Sequence, residues 1–262
     1  MKQTDIANTE GEARYLRVLQ VLELVAAATQ PITAAQLGMR LKIPKASLAR
    51  IVDSLVENNY LMKIAGEHSL VPGPRLANLA LGTIGNGAFK RSCRAVLRSL
   101  VQSLGETCNL TALDGDRVIH IERVETHEPL RLNIEPGSRH PLHCTAGGKL
   151  FLAQMNLLER NELLDRLVLT RMTPHTLTDR RTLEKELDRL KEKMIGEDKE
   201  EFVRGMVGVA VPVLNHEKKM AAALVCHTAT ARMGLIELME FLPKMRLAAV
   251  QLSGLLIGRD AT

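Results

Sequence analysis

The 262-residue sequence predicts an α+β protein in two parts, an N-terminal winged helix-turn-helix followed by a larger domain built on an antiparallel sheet. Three observations carry this expectation. Two short amphipathic stretches lie close together between Thr33 and Glu57, each opened by a residue suited to start a helix. A short hairpin pattern, "YLMKIAGEHSLVPG", follows them. From Glu106 onward strand-like runs come as hairpins flanked by helices, without regular strand–helix alternation.

Residues 12–28 carry Leu16, Leu19, Leu22 and Val25 at helical spacing, and the polar residues before them read as a loose arm. Thr33 then stands as the N-cap of a short helix, "TAAQLGMRL", whose Ala34, Leu37 and Leu41 share a face. Pro44 opens the next helix, where a missing N–H costs little. Leu48, Ile51, Val52, Leu55 and Val56 give that helix one buried face. The hairpin turns around Gly66-Glu67.

The exposed face of the helix after Pro44 has two readings. Arg40, Lys42, Lys45 and Arg50 lie in a stretch without an acid, while Asp53 and Glu57 come only later. A helix whose N-terminal half enters the major groove needs this order. Small Ala46 and Ala49 permit close approach, Ser47 suits a phosphate or base edge, and Arg50 suits guanine. On the wing, Lys63 or His68 would touch the DNA backbone or the minor groove. The other reading is a plain solvated face; the short preceding helix and the hairpin favour DNA.

The stretch "VPGPRLANLALGTIGNGAF" marks the join, giving a DNA-binding domain at residues 1–72, a linker helix and hinge at 73–88, and a second domain at 89–262. There a helix over 89–104 precedes a hairpin, "ETCNLTAL" and "RVIHIERV", turning at Asp114-Gly115. An extended run, "LRLNIEPG", precedes "HPLHCTAGGKLFLAQM". Helices are expected over 159–169 and 179–195, strands at "MVGVAVPVL" and "MAAALVCHT", and one final helix over 235–257.

Composition excludes several classes. Aromatics at 2% leave too few rings for a base-stacking platform. No apolar run is long enough for a membrane span, and the polar N-terminus is no signal peptide. Cys93, Cys108, Cys144 and Cys226 are scattered, which fits a reduced cytoplasm rather than a disulfide scaffold. The net charge of +5 decides nothing by itself. "TAGGKLF" fails as a phosphate loop, since His143 and Leu150 stand where Gly and Ser or Thr are required. His140, His143 and Cys144 lack a fourth ligand, so no metal is expected. Neither a nucleophile–base set nor paired carboxylates stand out, and neither enzymatic activity nor a cofactor is expected.

In "CTAGGKLFLA", Thr145 suits an N-cap for a helix whose first turn is Ala146, Gly147 and Gly148. Small residues there leave backbone N–H groups open to an anion, favoured by the helix dipole. Close packing of a helix on a sheet also wants glycine, and this stretch alone does not choose.

The order of parts, with "GSRHPLHCTAGGKLFLA", "GMVGVAVPV" and "ALVCHTATARM", resembles the IclR family of bacterial transcriptional regulators from about residue 12 to about residue 257. The resemblance implies a winged helix-turn-helix joined by a linker helix to a GAF-like effector domain. It further implies homodimers or tetramers on palindromic double-stranded operators, answering to small carboxylates from catabolic pathways. It implies that Ala146 and Gly147 meet the effector carboxylate, that Asp198 accepts from a ligand hydroxyl or shapes the site, and that Leu132 forms an apolar wall. Three positions depart from the family pattern. Gly208 stands where many relatives have Cys, and Val225 and His227 stand for two serines. Val225 and His227 share a strand face, with Cys226 on the other. Added room, an apolar wall and an imidazole argue for a larger, aromatic acid; a packed, backbone-bonded His227 is the alternative. The rival to a regulator is a metabolite-binding protein or enzyme with an incidental basic helix.

Overall fold

The structure of the protein is a computed structural model that describes residues 4–28, 30–85, 87–131 and 137–257. The chain divides into two compact units, Met1–Asn86 and Gly87–Thr262.

The first unit runs α1 (Thr4–Ala27), β1 (Ile32–Thr33), α2 (Ala34–Leu41), α3 (Lys45–Glu57), β2 (Leu61–Lys63), β3 (Ser69–Pro72) and α4 (Pro74–Gly85). The cap on α2 is reciprocal: Thr33 Oγ1 accepts from Gln36 N at 3.2 Å, and Gln36 Oε1 accepts from Thr33 N at 2.8 Å. Lys42 turns the chain with φ +52°, and α3 starts behind Pro44. Leu37, Leu48, Val52 and Leu55 from α2 and α3 meet Val21, Val25, Ile32, Leu61 and Leu70 in one core. β1, β3 and β2 pair antiparallel into the wing. Gly73 is required where the wing ends, because a Cβ there would lie 2.3 Å from the Asn59 carbonyl oxygen.

Two expectations for this unit need adjustment. The N-terminal residues are not a loose arm but helical from Thr4; the stretch holds no proline and a single glycine, so nothing interrupts the helix. Among the described side chains of α1, Val21 and Val25 reach the core, while Leu16 and Leu19 are exposed. The glycines of "GTIG" do not break α4 either, since each costs a helix only about 1 kcal/mol.

The second unit contains α5 (Gly87–Leu104), β4 (Thr107–Asp114), β5 (Arg117–Val124), β6 (Arg139–Pro141), α6 (Ala146–Gln154), α7 (Leu157–Leu164), α8 (Arg180–Lys193), β7 (Gly196–Lys199), β8 (Met206–Leu214), β9 (Met220–Ala229), α9 (Leu235–Met239) and α10 (Leu242–Ile257). Its sheet has the order β6-β5-β4-β9-β8-β7, with every pair antiparallel. α10 packs on α5 and β8, while α6 packs on α8 and the middle strands. The chain is thus α+β, with a helix-turn-helix unit and an antiparallel-sheet unit.

The single helix expected over 235–257 is two. Pro243 has no N–H for the carbonyl four residues back, and its ring crowds that carbonyl, so α9 stops at Met239 and α10 begins at Leu242. β7 was not expected as a strand, because "GEDK" lacks apolar alternation. It holds because Arg189 Nη1 and Lys199 Nζ each lie 3.0 Å from a carboxylate oxygen of buried Glu197. Among the described residues, no helix is long and apolar enough to cross a membrane.

Candidate functional site

The start of α6 is pressed against the sheet. A Cβ on Gly148 would lie 2.3 Å from the Leu142 carbonyl oxygen, and one on Gly147 would lie 2.9 Å from Thr111 Oγ1. Close packing is therefore sufficient reason for both glycines. Thr145 caps the helix, its Oγ1 accepting from Gly148 N at 3.2 Å. The same first turn, with its dipole-favoured N–H groups, also lines a cavity.

Six of the residues expected around an effector come together on this cavity: Ala146, Gly147, Asp198, Gly208, Val225 and His227. Leu132 lies outside the described residues. Val225 and His227 face the cavity, while Cys226 between them is fully buried in the core. Gly208 makes room without being forced: a Cβ there would meet Cys226 O and His227 Cβ at 3.5 Å and Ala146 Cβ at 3.6 Å, ordinary contacts.

Sequence reasoning missed the rest of the lining, above all His120, His140, Asn109 and Phe202. Strand pairing delivers two of them: His120 sits opposite Thr111 on β4, and His140 sits opposite Val118 on β5. His120 and His140 meet edge to face at 5.1 Å, and His140 meets Phe202 at 4.9 Å. Alternation along "RVIHIERV" places His120 on a face, but only the register says that the face is this cavity.

The cavity keeps its imidazoles neutral. Burial, then Arg123 and His120, push His227 down to about 3. Burial, then His140 and Arg123, do the same to His120. His140 is lowered as well, by burial and then by Arg123 and Arg117. His227 Nε2 lies 3.5 Å from Arg123 Nη1, and His120 Nδ1 lies 3.3 Å from Asn109 Nδ2. His227 thus pairs with the Arg123 side chain.

Asp198 is pushed up to about 7 by burial. Its Oδ1 accepts from Glu201 N at 2.8 Å and Phe202 N at 3.3 Å, which fixes the turn carrying Phe202 against the cavity. On α6, Lys149 is fully buried and ion-paired with Glu201, with Glu186 3.9 Å away. His143 is tied to the Thr170 carbonyl at 2.9 Å, and burial lifts the Cys144 thiol to about 12. Among the described residues no three His, Cys, Asp or Glu side chains converge as a metal site.

In the first unit, Arg40, Lys42, Lys45, Ala46, Ser47, Ala49 and Arg50 are all exposed, and Leu48 and Val52 bury the opposite side of α3. Lys63 is exposed too, but its amino group lies 3.2 Å from Asp53 Oδ1, which ties wing to helix.

Comparison with known proteins matches this architecture. The family described as "Bacterial transcriptional regulator IclR C-terminal" matches residues 83–254, and "IclR helix-turn-helix domain" matches residues 16–63. The chain belongs to the IclR family. A probable transcriptional regulator, SauR, of Cupriavidus necator is 36% identical over 242 residues, covering 92% of this chain and 96% of that protein. The IclR of Thermotoga maritima shares the fold, with a TM-score of 0.61 at 21% identity over 94% of this chain and 98% of that one. An IclR homologue of Microbacterium hydrocarbonoxydans, solved with 4-hydroxybenzoate, gives a TM-score of 0.60 at 25% identity over 93% of this chain and 98% of that one. As an IclR-family member, the chain pairs a helix-turn-helix unit with a unit of the effector-binding type.

Proposed function

We propose that this IclR-family protein represses or activates a catabolic operon from the cytoplasm. In this reading a homodimer or tetramer binds a palindromic operator, and a small carboxylate in the second unit changes its affinity. The observation that carries it is the cavity at the N-terminus of α6, where a carboxylate would meet the Ala146 and Gly147 N–H groups and the helix dipole. On the DNA side, Ser47 and Arg50 would read bases while Arg40, Lys42 and Lys45 hold phosphates. The protein acts by binding, without a chemical step of its own. An aromatic acid fits best: Gly208 leaves room, Val225 and Phe202 give apolar walls, and a homologue is solved with 4-hydroxybenzoate.

A melting-temperature screen of the purified protein against aliphatic, keto and aromatic carboxylates tests the effector. An acid at 100 times its dissociation constant adds about 2.7 kcal/mol, or roughly 5–10 °C in a domain of this size. A shift with aromatic acids is the expected result, and silence from every carboxylate would remove the anion site. For DNA, Arg50→Ala is expected to weaken binding and relax base preference, with about 1–3 kcal/mol lost at the base it reads. Unchanged gel-shift affinity would sink that role.

A further inference from the structure

The three imidazoles of the cavity differ in what their ring nitrogens already do. An arginine N–H only donates, so the neutral ring of His227 must accept from Arg123 Nη1 at Nε2. With the Asn109 amide turned so that Nδ2 faces the ring, His120 Nδ1 is an acceptor and its proton sits on Nε2. A proton added at either atom would break that bond and set a new N–H against an existing donor. His140 is free of this constraint. Its Nε2 lies 3.0 Å from Ser138 Oγ, and a hydroxyl accepts as readily as it donates. Protonated His140 keeps that bond by letting Ser138 accept.

From these contacts we propose that the protein takes up its acid effector together with a proton, and that His140 is the group that receives it. The inference rests on the reading of the effector as a carboxylate. The charges around the cavity explain why the proton waits for the acid. β5 brings Arg123, paired with Glu125, Arg117, paired with Asp116, and the His120 ring toward His140, and β9 brings His227. On β6 itself, Arg139 is ion-paired with Asp114 of β4. β4 and β8 line the cavity only with groups such as Asn109, Thr111, Val207 and Gly208. The one charged side chain of α6, Lys149, is held by Glu201 and Glu186. Among the described lining residues, β7 supplies the one carboxyl, Asp198, whose Oδ1 is occupied by two backbone N–H groups. Below about pH 7, where burial keeps Asp198 protonated, the described residues of the cavity therefore offer His140 nearby cations and no unpaired anion. An entering carboxylate reverses that balance, and the imidazolium it creates holds the acid in return.

The sign follows from linkage. His140 of the free protein titrates below the ordinary 6.5, and the bound anion raises it. Between those two values each acid bound takes up one proton, and affinity falls about tenfold for each unit of rising pH. Outside that window affinity is flat.

The test is calorimetric titration of the full-length protein with 4-hydroxybenzoate between pH 5 and 7, in pairs of buffers with different heats of ionisation. Wild type is expected to take up close to one proton per acid within the window, with the matching pH dependence of Kd. His140→Gln should bind more weakly and take up none, while His227→Gln and Asp198→Asn weaken binding but keep the uptake. Identical heats in both buffers with a pH-independent Kd would overturn the proposal, and this wild-type profile needs no variant. Loss of the uptake in Asp198→Asn, rather than in His140→Gln, would overturn it too. No heat and no melting shift with any carboxylate would instead remove the carboxylate reading, and the proton with it.

Discussion

Single residues set how closely α6 sits on the sheet and how much room it leaves beside it. Gly148 and Gly208 are both glycines of the cavity region, yet their substitutions should differ. A Cβ on Gly148 would collide with backbone at 2.3 Å, and backbone cannot swing aside as a flexible side chain would. Gly148→Ala should therefore lower the melting temperature by several degrees, in keeping with about 1–3 kcal/mol for overpacking. A Cβ on Gly208 meets only contacts of 3.5–3.6 Å, so Gly208→Ala should melt like wild type while weakening the response to aromatic acids. Titrating groups of the same cavity pull stability in opposite directions with pH. His120 and His227 fall from 6.5 to about 3, so an unfolded chain binds protons that the folded one refuses, and stability is lost as pH drops from about 6.5 toward 3. Asp198 rises from 3.8 to about 7, so the folded chain keeps a proton that the unfolded one releases, and stability is lost as pH rises from about 4 to 7. Melting curves between pH 4 and 8 should show Asp198→Asn gaining on wild type toward pH 8 and converging with it at pH 4. A constant difference at all pH values would mean that Asp198 is ionised throughout.

At the scale of elements, the pairing of α3 with the wing alters what the wing can do for DNA. Lys63 rests on Asp53, both more than half exposed, a pair worth about 0–1 kcal/mol to stability. Its effect on DNA is larger than that, because a paired lysine brings no net charge to a phosphate. Asp53→Asn should leave the melting temperature within about a degree of wild type, since surface changes are usually within about 0.5 kcal/mol. It should steepen the salt dependence of operator binding by about one phosphate contact, as Lys63 is released. If Lys63→Ala alone already lowers the slope by one unit, the lysine reaches DNA despite Asp53. The same scale shows what sequence makes legible. Thr33 and Pro44 announce α2 and α3 because caps and breakers act locally, and "TAGG" announces the start of α6 for the same reason. Val225 and His227 share their face because strands alternate. The long-range partners stay hidden. β7 hides because its charges are neutralised by Arg189, which comes from α8. His120 and His140 reach the cavity only through the register of β4, β5 and β6, which nothing in their own neighbourhood encodes.

For the whole molecule, the two units must be coupled through free energy if the acid is to act on DNA at all. The candidate DNA surface lies within Met1–Asn86 and the cavity within Gly87–Thr262, so among the described residues none of the cavity lining belongs to the candidate DNA helix. An acid alters operator affinity only if it binds the DNA-competent and incompetent states unequally. A coupling of about 1–3 kcal/mol changes that affinity roughly 5–150-fold, and operator DNA must change affinity for the acid by the same factor. This reciprocity holds for either sign of control. Calorimetric Kd values for 4-hydroxybenzoate, with and without saturating operator duplex, should differ by the factor that 4-hydroxybenzoate imposes on operator Kd in gel shift. Proton uptake sharpens the test. If DNA disfavours the acid-bound state, raising the pH across the window of His140 should lower acid affinity alone and leave the coupling ratio unchanged, because the proton belongs to the cavity and not to the operator. A ratio that shifts with pH would mean that acid binding takes up different numbers of protons in the two states. Equal acid affinities with and without operator would mean that the cavity, whatever fills it, does not control DNA binding.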